Sequence, residues 1–97
     1  MNVSEMILSA ISTGEDNAVS ADYLAKITGL TVRELRQAVE TLRRNGHVIV
    51  SSNNGYYYPA TLRELERHIK KESRRARSIS LTLHSAREMR AKWKRKN

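Results

Sequence analysis

Residues 31–47 have the sequence TVRELRQAVETLRRNGH, in which two patterns overlap. Apolar residues recur there at spacings of three and four. This spacing places the following residues along one side of a helix: Val32, Leu35, Val39 and Leu42. The opposite side of that helix carries the polar residues Arg33, Arg36, Gln37 and Arg44. The stretch therefore predicts an amphipathic helix whose polar side is either solvated surface or a surface that contacts a partner.

Residues at both ends support this helix. Thr31 is followed three residues later by Glu34, a spacing typical of a capping box, in which each side chain satisfies a backbone amide at the start of a helix. Gly46 follows the last apolar residue and is expected to end the helix. The local sequence therefore favours a helix that begins and ends within this stretch.

Two further helices are predicted before it. The first lies in NVSEMILSAIS (residues 2–12), which has on one face Val3, Ile7, Ala10 and Ile11. After a polar turn and a short extended piece at Val19, Ser20 can cap a second helix, ADYLAKIT (residues 21–28). We expect that helix to end at Gly29 in a left-handed conformation and to bury Tyr23, Leu24 and Ile27.

A β-hairpin is predicted after residue 46. HVIVS (residues 47–51) and YYY (residues 56–58) are both typical of strands. Between them lies Asn54-Gly55, a strong hairpin signal because both residue types tolerate a positive φ. Pro59 is expected to end the hairpin.

The C-terminal part predicts one long helix. Thr61 and Glu64 form a second capping box, and no Pro or Gly follows to the end of the chain. A three-four repeat, interrupted by Glu72 and Arg90, comprises Leu62, Leu65, Ile69, Ala76, Ile79, Leu83, Ala86 and Trp93. A helix over residues 61–96 would be about 54 Å long, whereas a globule of about 60 residues has a radius of gyration of about 10 Å.

Such a helix cannot bury its apolar stripe on its own domain alone. We therefore expect a homodimer formed through the residues Leu65, Ile69, Ala76, Ile79, Leu83, Ala86 and Trp93. The alternative is a break near residues 78–80, after which the helix folds back on itself.

The formal net charge of +8 is unevenly distributed along the 97 residues. Residues 1–60 hold five Lys/Arg and six Asp/Glu, a net of −1, whereas residues 61–97 hold thirteen and four, a net of +9. This asymmetry indicates a basic appendage that meets a polyanion, an anionic membrane or an acidic partner.

The composition also argues against several functions. The chain has no cysteine, which excludes disulfides, thiolate metal sites and a Cys nucleophile. His47, His68 and His84 are scattered, and no glycine-rich phosphate loop is present. We therefore predict a protein that is not an enzyme and has no metal and no cofactor. Nothing resembles a signal peptide or a membrane span, so we expect a cytoplasmic protein.

The order of helix, short strand, helix, tight turn, helix and hairpin predicts a winged helix-turn-helix, a mainly α fold with a small β-hairpin. Residues 20–59 resemble the N-terminal winged-helix domain of biotin operon repressors. The shared pattern comprises Gly29-Leu30-Thr31, the run Leu42-Arg43-Arg44-Asn45-Gly46, and Gly55-Tyr56. The C-terminal part is similar to small winged-helix proteins from prophages of Gram-positive bacteria, which carry a long basic helix after the wing.

The resemblance implies that the third helix enters the major groove of DNA. The expected DNA contacts in this chain come from Thr31, Arg33, Arg36, Gln37, Arg44, Asn53 and Asn54. Arg43 and Arg44, at the far end of the helix, are expected to lie nearer the DNA backbone than the bases. Asn53 and Asn54 lie at the tip of the wing, which is uncharged here, whereas many DNA-binding wings carry Lys or Arg.

We therefore predict a winged helix-turn-helix domain over residues 1–60 and a long basic amphipathic helix over residues 61–97. The expected function is that of a small transcriptional regulator or replication accessory from a phage or mobile element, which binds double-stranded DNA as a homodimer. The alternative is a protein-interaction module whose basic helix binds an acidic protein or nucleoprotein, for example as a phage-encoded inhibitor of a host system. A basic helix with Trp93 can also lie on an anionic membrane, a reading that we do not favour.

Overall fold

The computed structural model describes residues 1–96. Its elements, in chain order, are helix α1 (Val3–Ala10), a short 3-10 helix (Glu15–Asn17), helix α2 (Ala21–Thr28), helix α3 (Val32–Arg44), strand β1 (Val50–Ser52), strand β2 (Gly55–Tyr57) and helix α4 (Leu62–Lys96). The chain divides into two compact units, the first comprising Met1–Glu66 and the second beginning at Arg67. The predicted winged helix-turn-helix, followed by a long C-terminal helix, is confirmed.

The core of the first unit forms around the apolar side of α3. Leu35, Val39 and Leu42 are all buried, as the spacing in the sequence predicts. They belong to one cluster with buried residues of α1, α2 and the segment before β1, namely Ile7, Ile11, Leu24, Ala25 and Ile49. Because three consecutive turns of α3 are buried on the same side, the rotation of the helix about its own axis is fixed.

The predicted signals at the helix ends are present in the structure. The Thr31 hydroxyl accepts a hydrogen bond from the Glu34 amide at 3.1 Å, and the Glu34 carboxylate accepts one from the Thr31 amide at 2.9 Å. Hydrogen bonding to the Glu34 carboxylate, mainly from the Thr31 backbone amide and then from the Thr31 side chain, holds the pKa of Glu34 below its ordinary value because it favours the ionised form. Gly29 ends α2 with a φ of 73°, in the left-handed region.

The prediction that α2 buries Tyr23 and Ile27 is wrong. Tyr23 is 52% exposed and Ile27 is 36% exposed. The face of α2 that packs on the core is centred instead on Leu24 and Ala25. Tyr23 and Ile27 lie one helical turn apart, so they share a second face that points away from that core.

The hairpin is shorter than predicted, and its loop is placed differently. Only Val50–Ser52 pairs with Gly55–Tyr57, in a register that sets Ser52 opposite Gly55. The two loop residues are therefore Asn53 and Asn54, and neither has a positive φ. Gly55 takes the positive φ, 122°, as the first residue of β2.

A further extended segment, at Val19, lies beside strand β2 of this hairpin. Val19 and Tyr56 exchange two backbone hydrogen bonds, with Tyr56 N to Val19 O at 2.8 Å and Val19 N to Tyr56 O at 2.9 Å. The backbone of Gly55 lies so close to Val19 that a Cβ atom on residue 55 would overlap the Val19 carbonyl. The wing is thus attached directly to the segment that leads into α2.

The three consecutive tyrosines support the wing from within. Tyr57 is buried, and Tyr56 and Tyr58 are half-buried against the core. The Tyr58 hydroxyl donates a hydrogen bond to the Leu8 carbonyl of α1 at 2.6 Å, and burial raises the pKa of this phenol. The tyrosines therefore act mainly in packing the hairpin onto the helices.

The start of α4 belongs to the first unit, and its cap differs from the predicted capping box. The Glu64 amide donates to the Thr61 hydroxyl at 3.1 Å, as expected. The Glu64 carboxylate, however, accepts from the amides of Ala60 at 2.8 Å and of Glu15 at 3.2 Å. This side chain joins the first turn of α4 to the 3-10 helix.

Helix α4 is continuous from Leu62 to Lys96 and does not break near residues 78–80. None of its described residues is buried. Among residues 1–96, no helix combines the length and the apolar composition that crossing a membrane requires.

The close approach of β2 to Val19 leads to a stability prediction. We expect Gly55→Ala to lower the free energy of unfolding by about 3 kcal/mol or more, since the methyl group meets a backbone carbonyl at an unfavourable φ. Gly46→Ala is the matched control, because Gly46 has a φ of 98° but no atom near its added Cβ. That control is expected to lose only about 1–2 kcal/mol. Urea unfolding followed by circular dichroism measures both, and equal losses would contradict the prediction.

Candidate DNA interface

The polar side of α3 forms an exposed ridge opposite the buried side. Arg33, Arg36, Gln37 and Arg44 are all exposed, as the sequence pattern indicates. Because Leu35, Val39 and Leu42 fix the rotation of the helix, these four side chains are held on the outside of the first unit. The structure therefore gives α3 a basic surface that is accessible to a partner.

Arg36 and the wing line one polar cleft. Its walls also include the start of α2, and the lining residues are Ser20, Ala21, Arg36, Ser51, Ser52, Asn53, Asn54, Gly55 and Tyr56. The cleft thus brings together three of the predicted DNA contacts, Arg36, Asn53 and Asn54. Ser20 and Ala21, at the start of α2, line the same cleft, and the N-terminus of a helix favours anions.

A second, shallow depression runs along α3. It is lined by Arg36, Gln37, Glu40, Thr41 and Arg44. Arg36 lines both concave surfaces, so it connects the face of α3 with the wing. Thr31 and Arg33 are exposed at the start of α3 and lie outside both surfaces, and the Thr31 hydroxyl caps the helix.

Arg43 does not belong to the exposed surface, contrary to the expectation that it lies near the DNA backbone together with Arg44. Its side chain is only 18% exposed. Nε donates to the Ile49 carbonyl at 2.7 Å, and Nη1 contacts the Glu40 carboxylate at 2.8 Å. Arg43 therefore holds the end of α3 against the segment before β1, and it partly neutralises Glu40 beside the exposed arginines.

The wing tip presents amides and hydroxyls. Asn53 and Asn54 are exposed, and the Asn54 amide donates to the Ser52 hydroxyl at 3.1 Å. Ser20, Ser51 and Ser52 line the cleft but were absent from the predicted contacts. Ser20 could have been recognised from the sequence, because it caps the helix whose start lines the cleft. Ser51 and Ser52 could not, because their position depends on the register of the hairpin.

The second unit carries the remaining predicted residues. Ile69, Ala76, Ile79, Leu83, Ala86 and Trp93 are all exposed on α4, whereas Leu65 is half-buried and lies in the first unit. Residues 67–97 contain twelve Lys/Arg and two Asp/Glu. Within residues 1–96, no three His, Asp or Glu side chains are grouped so that they could hold a metal ion.

The contrast between Arg43 and Arg44 can be tested by stability. We expect Arg43→Ala to lower the free energy of unfolding by about 1–2 kcal/mol, because it removes a charged hydrogen bond to a partly buried carbonyl. Arg44→Ala, one residue further along and exposed, is expected to change it by less than about 0.5 kcal/mol. Thermal unfolding of the two variants provides the measurement, and a larger loss for Arg44→Ala would contradict the assignment.

Comparison with known proteins agrees with this geometry. No curated protein and no solved structure matches the chain closely enough to count as a relative. A family model described as an HTH domain, however, matches residues 4–57, which is more than half of the chain. These residues contain α1, α2, α3 and the hairpin. The chain therefore belongs to the helix-turn-helix (HTH) domain family, a class of DNA-binding domains.

Proposed function

We propose that this protein is a small regulator of transcription or an accessory of replication from a phage or mobile element, and that it binds selected sites in double-stranded DNA. The observation that carries the proposal is the exposed ridge of α3, held outward by its buried side and joined through Arg36 to the wing. The pattern shared with biotin operon repressors supports the same reading. The protein would act in the compartment that holds this DNA, the cytoplasm in bacteria.

The residue types on the ridge suit the reading of bases. An arginine can donate two hydrogen bonds to the O6 and N7 atoms of guanine, and a glutamine can bond the N6 and N7 atoms of adenine. We assign these roles to Arg33, Arg36 and Gln37, which lie in the N-terminal half of α3. Recognition helices place such early residues near the edges of the bases.

Other groups suit the phosphate backbone. Arg44 is exposed at the far end of α3, and Asn53 and Asn54 are exposed at the wing tip. Contacts to phosphate fix the register of a protein on DNA without reading sequence. The cleft between α2 and the wing is proposed to receive one phosphate, with the first amides of α2 and Arg36 as donors.

The basic second unit would add affinity for any sequence. Each phosphate that a Lys or Arg neutralises releases counterions, so binding weakens as salt rises. Twelve cations against two anions among residues 67–97 favour such a contribution. The first unit would then select the site, and the second unit would strengthen binding to duplex DNA in general.

The reading role of α3 is tested by a gel-shift experiment on a duplex selected from a random library. We expect Arg36→Ala with Gln37→Ala to weaken binding to the selected duplex by roughly 10–100-fold, because two base contacts are lost. Affinity for random duplex should change far less. Arg63→Ala is the matched control, since it also removes one exposed charge but lies outside both concave surfaces of α3. Unchanged affinity of the double variant for the selected site would overturn the proposal.

We also propose that the protein acts as a homodimer through α4. The predicted stripe is accessible, with Ile79 57% exposed and Leu83 45% exposed. Apolar side chains repeated over several turns of one helix are typical of a surface that another helix covers. A two-fold dimer would pair with a palindromic or repeated target site.

Sedimentation equilibrium tests the dimer. We expect about twice the chain mass for the full chain, and a monomer for Ile79→Asp with Leu83→Asp, because charges on the stripe cannot be buried between helices. Leu81→Asp is the control, since Leu81 is 62% exposed but lies off the three-four repeat. A monomeric full chain at high concentration would contradict the proposal.

A protein-interaction module is the second candidate. It is favoured by the net charge of −1 over residues 1–60 and by the uncharged wing tip, which both reduce attraction to DNA. In that case the basic helix would bind an acidic protein or nucleoprotein. Absence of any gel shift at low salt for the full chain would support this candidate over DNA binding.

A further inference from the structure

Two polar residues interrupt the apolar stripe of α4 without breaking its period. The positions 62, 65, 69, 72, 76, 79, 83, 86, 90 and 93 alternate steps of three and four, which is the seven-residue repeat of a coiled coil. Eight of these positions are apolar, whereas position 72 is Glu and position 90 is Arg. The partner that covers the stripe must therefore accommodate one anion and one cation at defined positions.

A parallel, in-register pair of two copies does not accommodate them. Each residue of the stripe would face its own equivalent, so Glu72 would face Glu72 and Arg90 would face Arg90. Like charges placed together at the seam of two helices repel each other, and both would also lose water. The parallel arrangement therefore has an unfavourable layer near each end of the stripe.

An antiparallel pair removes both conflicts. We propose that two copies of α4 pair antiparallel, in a register that places stripe residue i of one copy opposite stripe residue 162 − i of the other. This inference rests on the proposed dimer and specifies its geometry. The facing residues across the two copies then become Ile69 with Trp93, Glu72 with Arg90, Ala76 with Ala86, and Ile79 with Leu83.

Every layer of this register is complementary. In each half, the two large apolar pairs flank the charged layer and a small alanine layer. The single anion of the stripe faces its single cation twice because of the two-fold symmetry. The midpoint falls between the stripe residues Ile79 and Leu83, inside the apolar part of the stripe. Over residues 69–93, this register therefore pairs apolar side chains of matching size and charged side chains of opposite sign.

The positions beside the seam are consistent with this register. In an antiparallel pair, residues on one flank face residues on the same flank of the other copy. On the flanks the nearest facing positions sum to 160 or 164 instead of the 162 that holds for the stripe. The flanking pairs near the centre are therefore Ser73 with Arg87 and Ser80 with itself on one flank, and Arg75 with Met89 and Thr82 with itself on the other. None of these four pairs sets two like charges opposite each other, although the second unit is strongly basic.

The contacts within a single copy leave the proposed ion pair accessible. Glu72 contacts Arg75 of the same helix at 3.3 Å, with 59% of the Arg75 side chain exposed. Such an exposed pair contributes little, so the carboxylate can turn to a second cation at small cost. The Arg90 side chain makes no hydrogen bond or ion pair with any of residues 1–96.

Engineered disulfides distinguish the two arrangements, and the absence of native cysteine makes the result unambiguous. Ala76→Cys and Ala86→Cys are prepared separately in the full chain and oxidised. In the antiparallel register neither variant should cross-link with itself, whereas an equimolar mixture should give a covalent dimer, because position 76 faces position 86. Cross-linking of each variant alone would show a parallel pair and overturn the proposal.

Charge exchange supplies an independent readout. Glu72→Arg places two cations in both polar layers of the antiparallel pair, and we expect the dimer dissociation constant to rise by roughly ten-fold or more. The double variant Glu72→Arg with Arg90→Glu restores opposite charges and should recover most of that loss. In a parallel pair, Glu72→Arg would replace a layer of two anions by a layer of two cations, and the dimer dissociation constant would change little. An unchanged dissociation constant would therefore also overturn the antiparallel register.

The outcomes separate this inference from the function on which it rests. A full chain that sediments as a monomer would overturn both the dimer and its geometry, while the gel-shift comparison at Arg36 and Gln37 would stand independently. A dimer that cross-links only when the Ala76→Cys and Ala86→Cys variants are mixed would support the antiparallel register. A dimer without cross-links in any combination would overturn the register alone.

Discussion

The burial of one side of α3 is the constraint on which the remaining structure depends. Leu35, Val39 and Leu42 are removed from water by packing against α1, α2 and the segment before β1. Each such side chain contributes about 1.5–3 kcal/mol through burial, so a rotation of α3 that exposed them would be prohibitively unfavourable. The exposed polar side chains of α3 therefore point outward because the opposite side of the helix is packed in the core. Their own contacts are not needed to hold them in that orientation.

The wing is positioned by a second constraint, which acts through the backbone. Two hydrogen bonds between Val19 and Tyr56 hold the extended segment before α2 beside strand β2 of the hairpin. Gly55 allows the backbone of β2 to approach that of Val19. Arg43 of α3 donates a hydrogen bond to the Ile49 carbonyl, just before β1. Because the wing is fixed to both α2 and α3, its tip and Arg36 can line the same cleft.

The sequence predicted those features that depend on local chemistry. The capping box at Thr31, the left-handed Gly29 and the apolar side of α3 follow from residue types at fixed spacings, and all three are confirmed. The errors arose where tertiary contacts decide. The side of α2 that is buried depends on which helices surround it, so Tyr23 and Ile27 were misplaced. Arg43 could not be distinguished from Arg44 without knowing that Ile49 returns beside α3.

The negative charge of Glu34 at the start of α3 affects how the first unit would select one DNA site among many competing sequences under the proposed function. Hydrogen bonds with Thr31 lower the pKa of Glu34 and hold its carboxylate at the start of α3, directly after the exposed Arg33, in a segment whose net charge is −1 over residues 1–60. Under the proposed function, this surface of the first unit gains little from an arbitrary stretch of duplex, so the general attraction to DNA comes mainly from the basic second unit. The choice of a site by the first unit would then depend on the difference in affinity between DNA sequences more than on the total attraction to DNA.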